Sequence, residues 1–186
     1  MFKPVINSIQ TTGTFSAAEL SLFESKLSLL SLQKNDFILK EGTICQAFYF
    51  ILDGSCTHYL VSPDGTDNMI NLYVKNNWFT DHKSITSQKP AATFIQAFEN
   101  CELAAITIHS FHDLIQQSPA FFKTGRLLFD TVPHSDIAVS FQSPEEKYLD
   151  LLDKRPELIQ KFPLKYLASY LRMAPETLSR IRKRIR

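Results

Sequence analysis

Short apolar runs broken by Asp-Gly steps fill residues 48–65, FYFILDGSCTHYLVSPDG. Residues 48–52 are aromatic and β-branched, and a second strand-like run, residues 55–61, follows Asp53-Gly54. Asp-Gly steps favour tight reversals because both residues tolerate positive φ. The pattern predicts a meander of short antiparallel strands.

The strand pattern continues on both sides of this stretch. Further strands are predicted at residues 37–39, 69–74, 93–97 and 102–108, with a less regular polar segment at 78–92. Closing the strands into a barrel or roll would hide their edges. We therefore expect a closed antiparallel β body.

Helical spacing frames this body. Ser16 to Glu19 has the form of a capping box, and the apolar residues that follow predict an amphipathic helix near residues 16–30. A second helix is predicted at residues 109–117, ending before Pro119. Residues 119–129, and then 135–141 after Pro133, predict a further apolar helix. A second copy of the chain is the simplest partner for that helix; packing back on its own barrel is the alternative.

The C-terminal stretch predicts three helices. Ser143 to Glu146 is a second capping box, and its helix ends before Pro156. A link through Phe162-Pro163 leads to a short helix at 165–171, with Leu167, Ala168 and Leu171 turned inward. Residues 172–174 form the turn, and Pro175 opens the last helix, on which Leu178, Ile181 and Ile185 make a buried stripe. Two short helices crossing at a small residue fit a helix-turn-helix.

Charge is divided unevenly along the chain, although the formal net charge is only +1. Residues 143–186 carry 11 lysines and arginines against 6 aspartates and glutamates, a net charge of +5. Residues 1–142 carry 9 against 13, a net charge of −4. The basic end suggests contact with a polyanion, and chance clustering at a solvated terminus is the alternative.

Composition predicts a globular protein of the cytosol. No apolar run approaches the roughly 20 residues of a membrane helix, and the first ten residues lack a signal-peptide core. The cysteines, Cys45, Cys56 and Cys101, have neither disulfide-framework nor metal-clip spacing, so we expect reduced, partly buried thiols.

Two stretches resemble one family. KEG at 40–42 through FYFILDG at 48–54, and ASYL at 168–171 through PETLSR at 175–180, resemble the cyclic-AMP receptor protein and fumarate–nitrate reduction regulator (Crp/Fnr) family. The resemblance covers nearly the whole chain, and its C-terminal part is the more specific.

The resemblance implies an α+β fold with three parts. These are a cyclic-nucleotide-binding-type double-stranded β-helix (jelly roll), a dimerisation helix and a C-terminal helix-turn-helix of winged-helix type. We expect a β-roll sensor domain with its N-terminal helix at 1–118, a dimerisation or linker helix at 119–142 and a DNA-binding domain at 143–186.

The implied function is that of a homodimeric, sequence-specific transcription regulator, not an enzyme. The implied partners are double-stranded DNA read as a palindrome, a second copy of the chain and, as a further candidate, RNA polymerase. The implied location is the cytoplasm.

The DNA-reading residues implied by the resemblance lie on the last helix. Glu176, Thr177 and Arg180 match the family's base- and phosphate-reading positions, and arginine can bridge guanine O6 and N7. Phosphate contacts are expected from Lys183, Arg184 and Arg186. The family usually has glycine where this chain has Arg172, so a left-handed turn there would be strained by about 1 kcal/mol, although Arg172 is also a candidate for a phosphate contact.

This sequence lacks the residues with which the family binds a cyclic phosphate. Residues 76–81 lack the Gly-Glu pair, and the arginine position and its hydroxyl neighbour fall on Ala91 and Ala92. In a looser register the two positions fall on Lys89 and Thr93, but lysine, unlike arginine, cannot make a bidentate contact with a phosphate. We expect no binding of cyclic AMP in the usual way. Trp78, Phe79 and Phe94 are then candidates for an apolar pocket, with core packing the favoured interpretation.

No cofactor or metal is expected. The iron–sulfur branch uses clustered N-terminal cysteines, and none precedes Cys45. A haem axial ligand at His58 or His82 is a weaker interpretation than an ordinary histidine. His109, His112 and Asp113 fall short of the four convergent ligands usual for zinc.

Two alternative functions stay open. A cupin-like metal-dependent small-barrel enzyme would need several histidines and a glutamate inside the barrel, and no H-x-H is present. An effector-sensing module without DNA binding is the other alternative, and the basic C-terminal end argues against it.

Overall fold

The computed structural model describes residues 1–125 and 142–185. It is a mixed α+β protein with two four-stranded antiparallel sheets. The strands are β1 (Ser28–Leu32), β2 (Phe37–Leu39), β3 (Ala47–Asp53), β4 (Ser55–Val61), β5 (Asp67–Val74), β6 (Trp78–Phe79), β7 (Phe94–Ala97) and β8 (Cys101–Thr107). The helices are α1 (Lys3–Gln10), α2 (Ala17–Ser25), α3 (His82–Ser87), α4 (Ile108–Gln117), α5 (Pro144–Lys154), α6 (Pro156–Lys161), α7 (Leu164–Tyr170) and α8 (Pro175–Ile185), with a 3-10 helix at Pro119–Thr124.

The predicted meander is wrong in one respect. The sheets have the orders β1-β8-β3-β6 and β2-β7-β4-β5, so β3 and β4 lie in different sheets and only β4 and β5 form a hairpin. Asp53-Gly54 is therefore a crossing between sheets. Gly54 has a φ of +91°, and a Cβ there would lie 2.5 Å from the Asn100 carbonyl oxygen, so the crossing requires glycine.

The two sheets share one core. Phe50 and Leu103 from the first sheet and Cys56 and Ile95 from the second are buried together in it. The antiparallel roll predicted from the strand pattern is confirmed, with helices α1, α2 and α4 contributing side chains to the same core.

The helix predicted near residues 16–30 is shorter. The Ser16–Glu19 capping box is present, but the helix ends at Ser25, and β1 takes up residues 28–32. β1 pairs with β8, with Leu30 opposite Leu103. Pairing with a distant strand outweighs local helical spacing here.

The first helix, α1, was missed by the sequence reading. It starts at Lys3 with Pro4 in its first turn, and its Val5 and Ile9 are fully buried against the roll. Pro4 suits that position because the first helical N–H has no partner to lose.

The C-terminal helices agree with the predictions at most points. The Ser143–Glu146 capping box is present, and Leu167, Ala168 and Leu171 are buried as expected. The segment expected as a link at Phe162-Pro163 is preceded by an extra helix, α6. Ile185 is 36% exposed, so the buried stripe of α8 consists of Leu178 and Ile181.

These helices pack on the outside of the second sheet. A second buried cluster joins Met69 and Leu72 of β5 to Leu158, Leu167 and other residues of the helices. The core of the C-terminal helices is therefore continuous with the roll.

The predicted dimerisation helix lies largely outside the described residues. The 3-10 helix at Pro119–Thr124 is described, whereas residues 126–141 are not. No helix among the described residues is long and apolar enough to cross a membrane.

Candidate nucleic-acid interface and sensor site

The outer face of α8 is charged and open to solvent. Glu176, Arg180, Lys183 and Arg184 are exposed, and Thr177 is half-buried. Arg180 and Lys183 form no ion pair with any described residue, whereas Arg184 pairs with Glu145 of α5 at 3.2 Å. The arrangement presents cationic side chains in a row along one helix.

The underside of α8 is held rigidly. Leu178 is fully buried and Ile181 is 2% exposed, and both pack in the second cluster with Ala168 of α7. Ala168 lets the two helix backbones approach closely because its side chain is small. The charged face is thereby fixed relative to α7.

The turn between α7 and α8 is a Schellman motif. The Met173 N–H donates to the Ala168 carbonyl at 3.0 Å, and the Arg172 N–H donates to that of Ser169 at 3.0 Å. Arg172 has a φ of +56°, the left-handed conformation that favours glycine. The turn therefore keeps the usual tight geometry and places an exposed arginine side chain just before α8.

A shallow groove runs beside the charged face. Its volume is about 170 Å³, and Leu164, Ser179, Arg182 and Lys183 line it. A hydroxyl and two cations at one groove are suited to an anionic group. Arg186, the remaining residue expected to contact phosphate, lies outside the described residues.

The six residues expected around an effector pocket lie in different surroundings. Trp78 donates from Nε1 to Ser8 Oγ at 2.9 Å, and Phe79 is fully buried, with its ring 4.8 Å from that of Tyr73. Both aromatic residues pack in the roll core. The hydrogen bond of Trp78 connects this core to α1.

The expected phosphate-side residues differ in exposure. Lys89 and Ala92 are exposed, whereas Ala91 is buried, and its N–H donates to the Thr43 carbonyl at 2.8 Å. Phe94 is half-buried and stacks on Tyr59. Neither the groove beside α8 nor the cavity of about 450 Å³ near Gly54 is lined by any of these residues.

A buried polar network occupies the roll interior instead. His58 Nε2 lies 2.9 Å from Thr93 Oγ1, and His58 Nδ1 lies 3.3 Å from the Tyr73 hydroxyl. Thr93 donates to Asp81 Oδ2 at 2.5 Å, and the same carboxylate lies 3.5 Å from His58 Nε2. His58 and Asp81 are 4% and 5% exposed, and Thr93 is half-buried, so the network lies mostly away from solvent.

Asp81 contacts most of the other members of this network. Its other oxygen, Oδ1, accepts the Ser84 N–H at 2.7 Å and so caps α3. Burial alone would raise the pKa of Asp81, but hydrogen bonds from His58, Thr93 and the Ser84 N–H outweigh burial and lower the pKa to about 2. The carboxylate is therefore ionised throughout the neutral range. The sequence reading missed this network because His58, Asp81 and Thr93 come from separate elements.

Arg155 links the C-terminal helices to the roll. Its guanidinium donates to Asn71 Oδ1 at 3.0 Å, to the Leu72 carbonyl at 2.8 Å and to Asn77 Oδ1 at 3.1 Å. Ser169 Oγ of α7 also accepts the Met69 N–H at 2.9 Å, so both contacts fall on or beside β5.

The sequence profile of the cyclic nucleotide-binding domain matches residues 29–118. The matched segment begins in β1, ends just after α4 and contains the buried His58–Asp81 network. A comparison with curated protein sequences finds no match.

Solved structures share the fold of the cyclic nucleotide-binding domain and of the chain beyond it. The catabolite activator protein of Thermus thermophilus has a TM-score of 0.57 and 19% identity, over 92% of this chain and 84% of that one. FixK2 from Bradyrhizobium japonicum has a TM-score of 0.67 and 15% identity, over 86% and 84%. The c-di-GMP responsive global regulator CLP of Xanthomonas campestris has a TM-score of 0.62 and 16% identity, over 91% of each chain. These proteins are Crp/Fnr regulators, so the resemblance drawn from the sequence is confirmed, as a likeness of fold.

Proposed function

We propose that this chain is a homodimeric, sequence-specific DNA-binding transcription regulator that reads a palindromic site with α8. The observation that carries the proposal is the exposed cationic face of α8 above a buried apolar underside. A single helix with such a face fits the major groove of DNA. In this proposal α7, the Schellman turn and α8 are the helix-turn-helix.

The residues of α8 divide into two roles. Arg180, exposed and without an ion pair to any described residue, would bridge guanine O6 and N7, and Glu176 would accept from a cytosine amino group. Thr177 would meet a phosphate or a thymine methyl. Lys183, Arg184, Arg172 and Arg186 would contact phosphates, which set affinity and register without reading sequence.

The proposed division of the chain keeps the boundaries expected from the sequence. The sensor domain is residues 1–118, the dimerisation or linker helix is 119–142, and the DNA-binding domain is 143–186. Two recognition helices related by a two-fold axis would lie about 34 Å apart along the duplex. The partners are double-stranded DNA, a second copy of the chain and RNA polymerase, and the protein would act in the cytoplasm without enzymatic activity.

The proposed regulator does not respond to cyclic AMP in the usual way. Alanines stand at the positions of the arginine and its hydroxyl neighbour, and the His58–Asp81–Thr93 network places an ionised carboxylate in the roll interior. A buried carboxylate would repel a cyclic phosphate rather than hold it. We expect calorimetric titration with cyclic AMP to show no binding.

A selection from a random duplex library tests the proposal. We expect the full-length protein at moderate salt to enrich a palindrome, with an affinity that falls steeply as salt rises. Size-exclusion chromatography with light scattering should give the mass of a dimer. Enrichment of no sequence, or of a site without two-fold symmetry, would contradict the proposal.

A further inference from the structure

Cys56 and Cys101 face each other between the two sheets. Cys56 is in β4 and fully buried, Cys101 is the first residue of β8 and 3% exposed, and their sulfur atoms lie 3.9 Å apart. Cys45, the third cysteine, is also buried, and its sulfur lies 3.3 Å from Thr80 Oγ1. Two of the three thiols are therefore neighbours, and the third is separate from them.

The backbones around the pair are in direct contact. The chain crosses from β3 to β4 at Gly54, where a Cβ would lie 2.8 Å from Cys101 Sγ and 2.9 Å from Cys101 Cα. Gly54 precedes Cys56 by two residues. A disulfide needs its two backbones close together and its sulfurs about 2.05 Å apart, so side-chain rotation has to close the remaining gap.

The two thiols differ in acidity. The hydrogen bond between them lowers the pKa of Cys101 and raises the pKa of Cys56, which burial raises further. Cys101 is the thiol that meets an oxidant first, because it lies against Gly54 and next to Asn100, which line a cavity, whereas Cys56 is fully buried. Cys56, protonated at neutral pH, is then the thiol that reacts second.

A cavity leads to this side of the pair. It has a volume of about 450 Å³, and Gly54 and Asn100, which contact or precede Cys101, are part of its lining. Lys34, Glu99 and Lys161 form the rest of its lining together with Asp53. The Cys101 sulfur packs closely against Gly54, a residue of this lining, and the charged lining suits a small polar reagent.

We propose that Cys56 and Cys101 are a reversible disulfide-forming site that is oxidised by a hydroperoxide entering through this cavity. The Cys101 thiolate attacks the peroxide, the O–O bond breaks, and the leaving alkoxide or hydroxide takes a proton from water. The product is a sulfenic acid on Cys101. The Cys56 sulfur then attacks that sulfur, and the S–O bond breaks and releases water with the Cys56 proton. A small dithiol restores both thiols. The site does not depend on the proposed DNA binding.

Thiol counting on the full-length protein tests the proposal. The folded protein is treated with hydrogen peroxide, unfolded in denaturant with an alkylating reagent, and weighed by mass spectrometry. We expect the alkylatable thiols to fall from the three of the sequence to one, and dithiothreitol to restore all three. Digestion with chymotrypsin, which cleaves between Cys45 and Cys56, should yield one peptide pair joined through Cys56 and Cys101.

Substitutions separate the roles of the cysteines. Cys45→Ala should leave disulfide formation unchanged, and Cys56→Ala should leave a sulfenic acid on Cys101 that dimedone traps. Circular dichroism reports whether each variant folds, and the wild-type peptide map needs no substitution. The proposal is overturned if all three thiols survive a peroxide dose that consumes free glutathione, or if the crosslink involves Cys45 or joins two chains.

Discussion

Arg180 is the residue proposed to read a base. It lies on the exposed face of α8, without an ion pair to any described residue, directly above the buried Leu178 and Ile181. An unpaired guanidinium on a rigid helix can donate to a base without first breaking an internal contact. Arg184, in contrast, has to leave Glu145 before it binds a phosphate.

The substitution Arg180→Ala should weaken binding to the selected palindrome by about 1–3 kcal/mol per half-site and relax one base position in it. Fluorescence anisotropy on matched and mismatched duplexes measures both effects. Lys83→Ala, an exposed lysine of α3 on the roll, is the matched control and should leave affinity unchanged. An Arg180→Ala protein with unaltered affinity and specificity would exclude this role.

Asp81 makes stability depend on acid pH. Its folded-state pKa of about 2 lies below the ordinary value of 3.8, so its contribution is present above pH 4 and is lost as the pH falls toward 2. Between pH 5 and pH 3 we expect this carboxylate to account for about 1 kcal/mol of lost unfolding free energy. Urea unfolding of wild type and Asp81→Asn at both pH values measures it.

The difference between the two proteins isolates Asp81, since all other carboxylates are common to both. Equal losses in wild type and Asp81→Asn would show that the His58–Asp81–Thr93 contacts do not lower the pKa in solution. The contact between His58 and Asp81 was not predicted from the sequence. It joins β4 to the start of α3, and the two residues meet only through long-range packing.

Among the elements, those with local signals were predicted well. The two capping boxes at Ser16 and Ser143 fix their helix starts through contacts within three residues, and both are present. The end of α2 and the role of Asp53-Gly54 were wrong because both depend on β8, which is far away in sequence. Sequence spacing alone contains no information about such partners. The candidate DNA-reading residues follow a periodic pattern within a single helix. Their shared face on α8 could therefore be predicted from the sequence alone.

The turn between α7 and α8 offers a test at the level of elements. Arg172→Gly removes the Cβ that disfavours its φ of +56°, so the unfolding free energy should rise by up to about 1 kcal/mol. Lys165→Gly, at an exposed position within α7, should lower it by about 1 kcal/mol instead. Chemical denaturation of both variants gives the comparison. A loss of stability in Arg172→Gly would mean that the arginine side chain contributes more than its backbone strain removes.

At the scale of the whole molecule, the roll and the C-terminal helices share a buried cluster. Arg155 adds hydrogen bonds to Asn71, the Leu72 carbonyl and Asn77 across the same boundary. Glu99 and Lys161 add an ion pair at 2.5 Å. Two parts connected in this way should unfold together.

Arg155→Ala should break that cooperativity. The substitution leaves the amide oxygens of Asn71 and Asn77 without their cationic donor. We therefore expect the unfolding free energy to fall by about 2–3 kcal/mol. We also expect the amide hydrogens of α5 to α8 to exchange earlier than those of the roll. Lys154→Ala, an exposed neighbour whose ion pair among the described residues is with Asp150, should change stability by less than about 0.5 kcal/mol. Hydrogen-exchange mass spectrometry distinguishes the two. Uniform exchange in Arg155→Ala would mean that the apolar cluster alone couples the parts.

The shared cluster also restricts how such a protein can diverge. Met69, Leu72 and Val74 of β5 belong to the apolar surface on which the C-terminal helices pack. A chimera that keeps this roll and takes its terminal helices from a relative would pack unmatched side chains against these β5 residues. Each β5 substitution has to be matched in the helices, so the two halves are expected to be inherited as one piece.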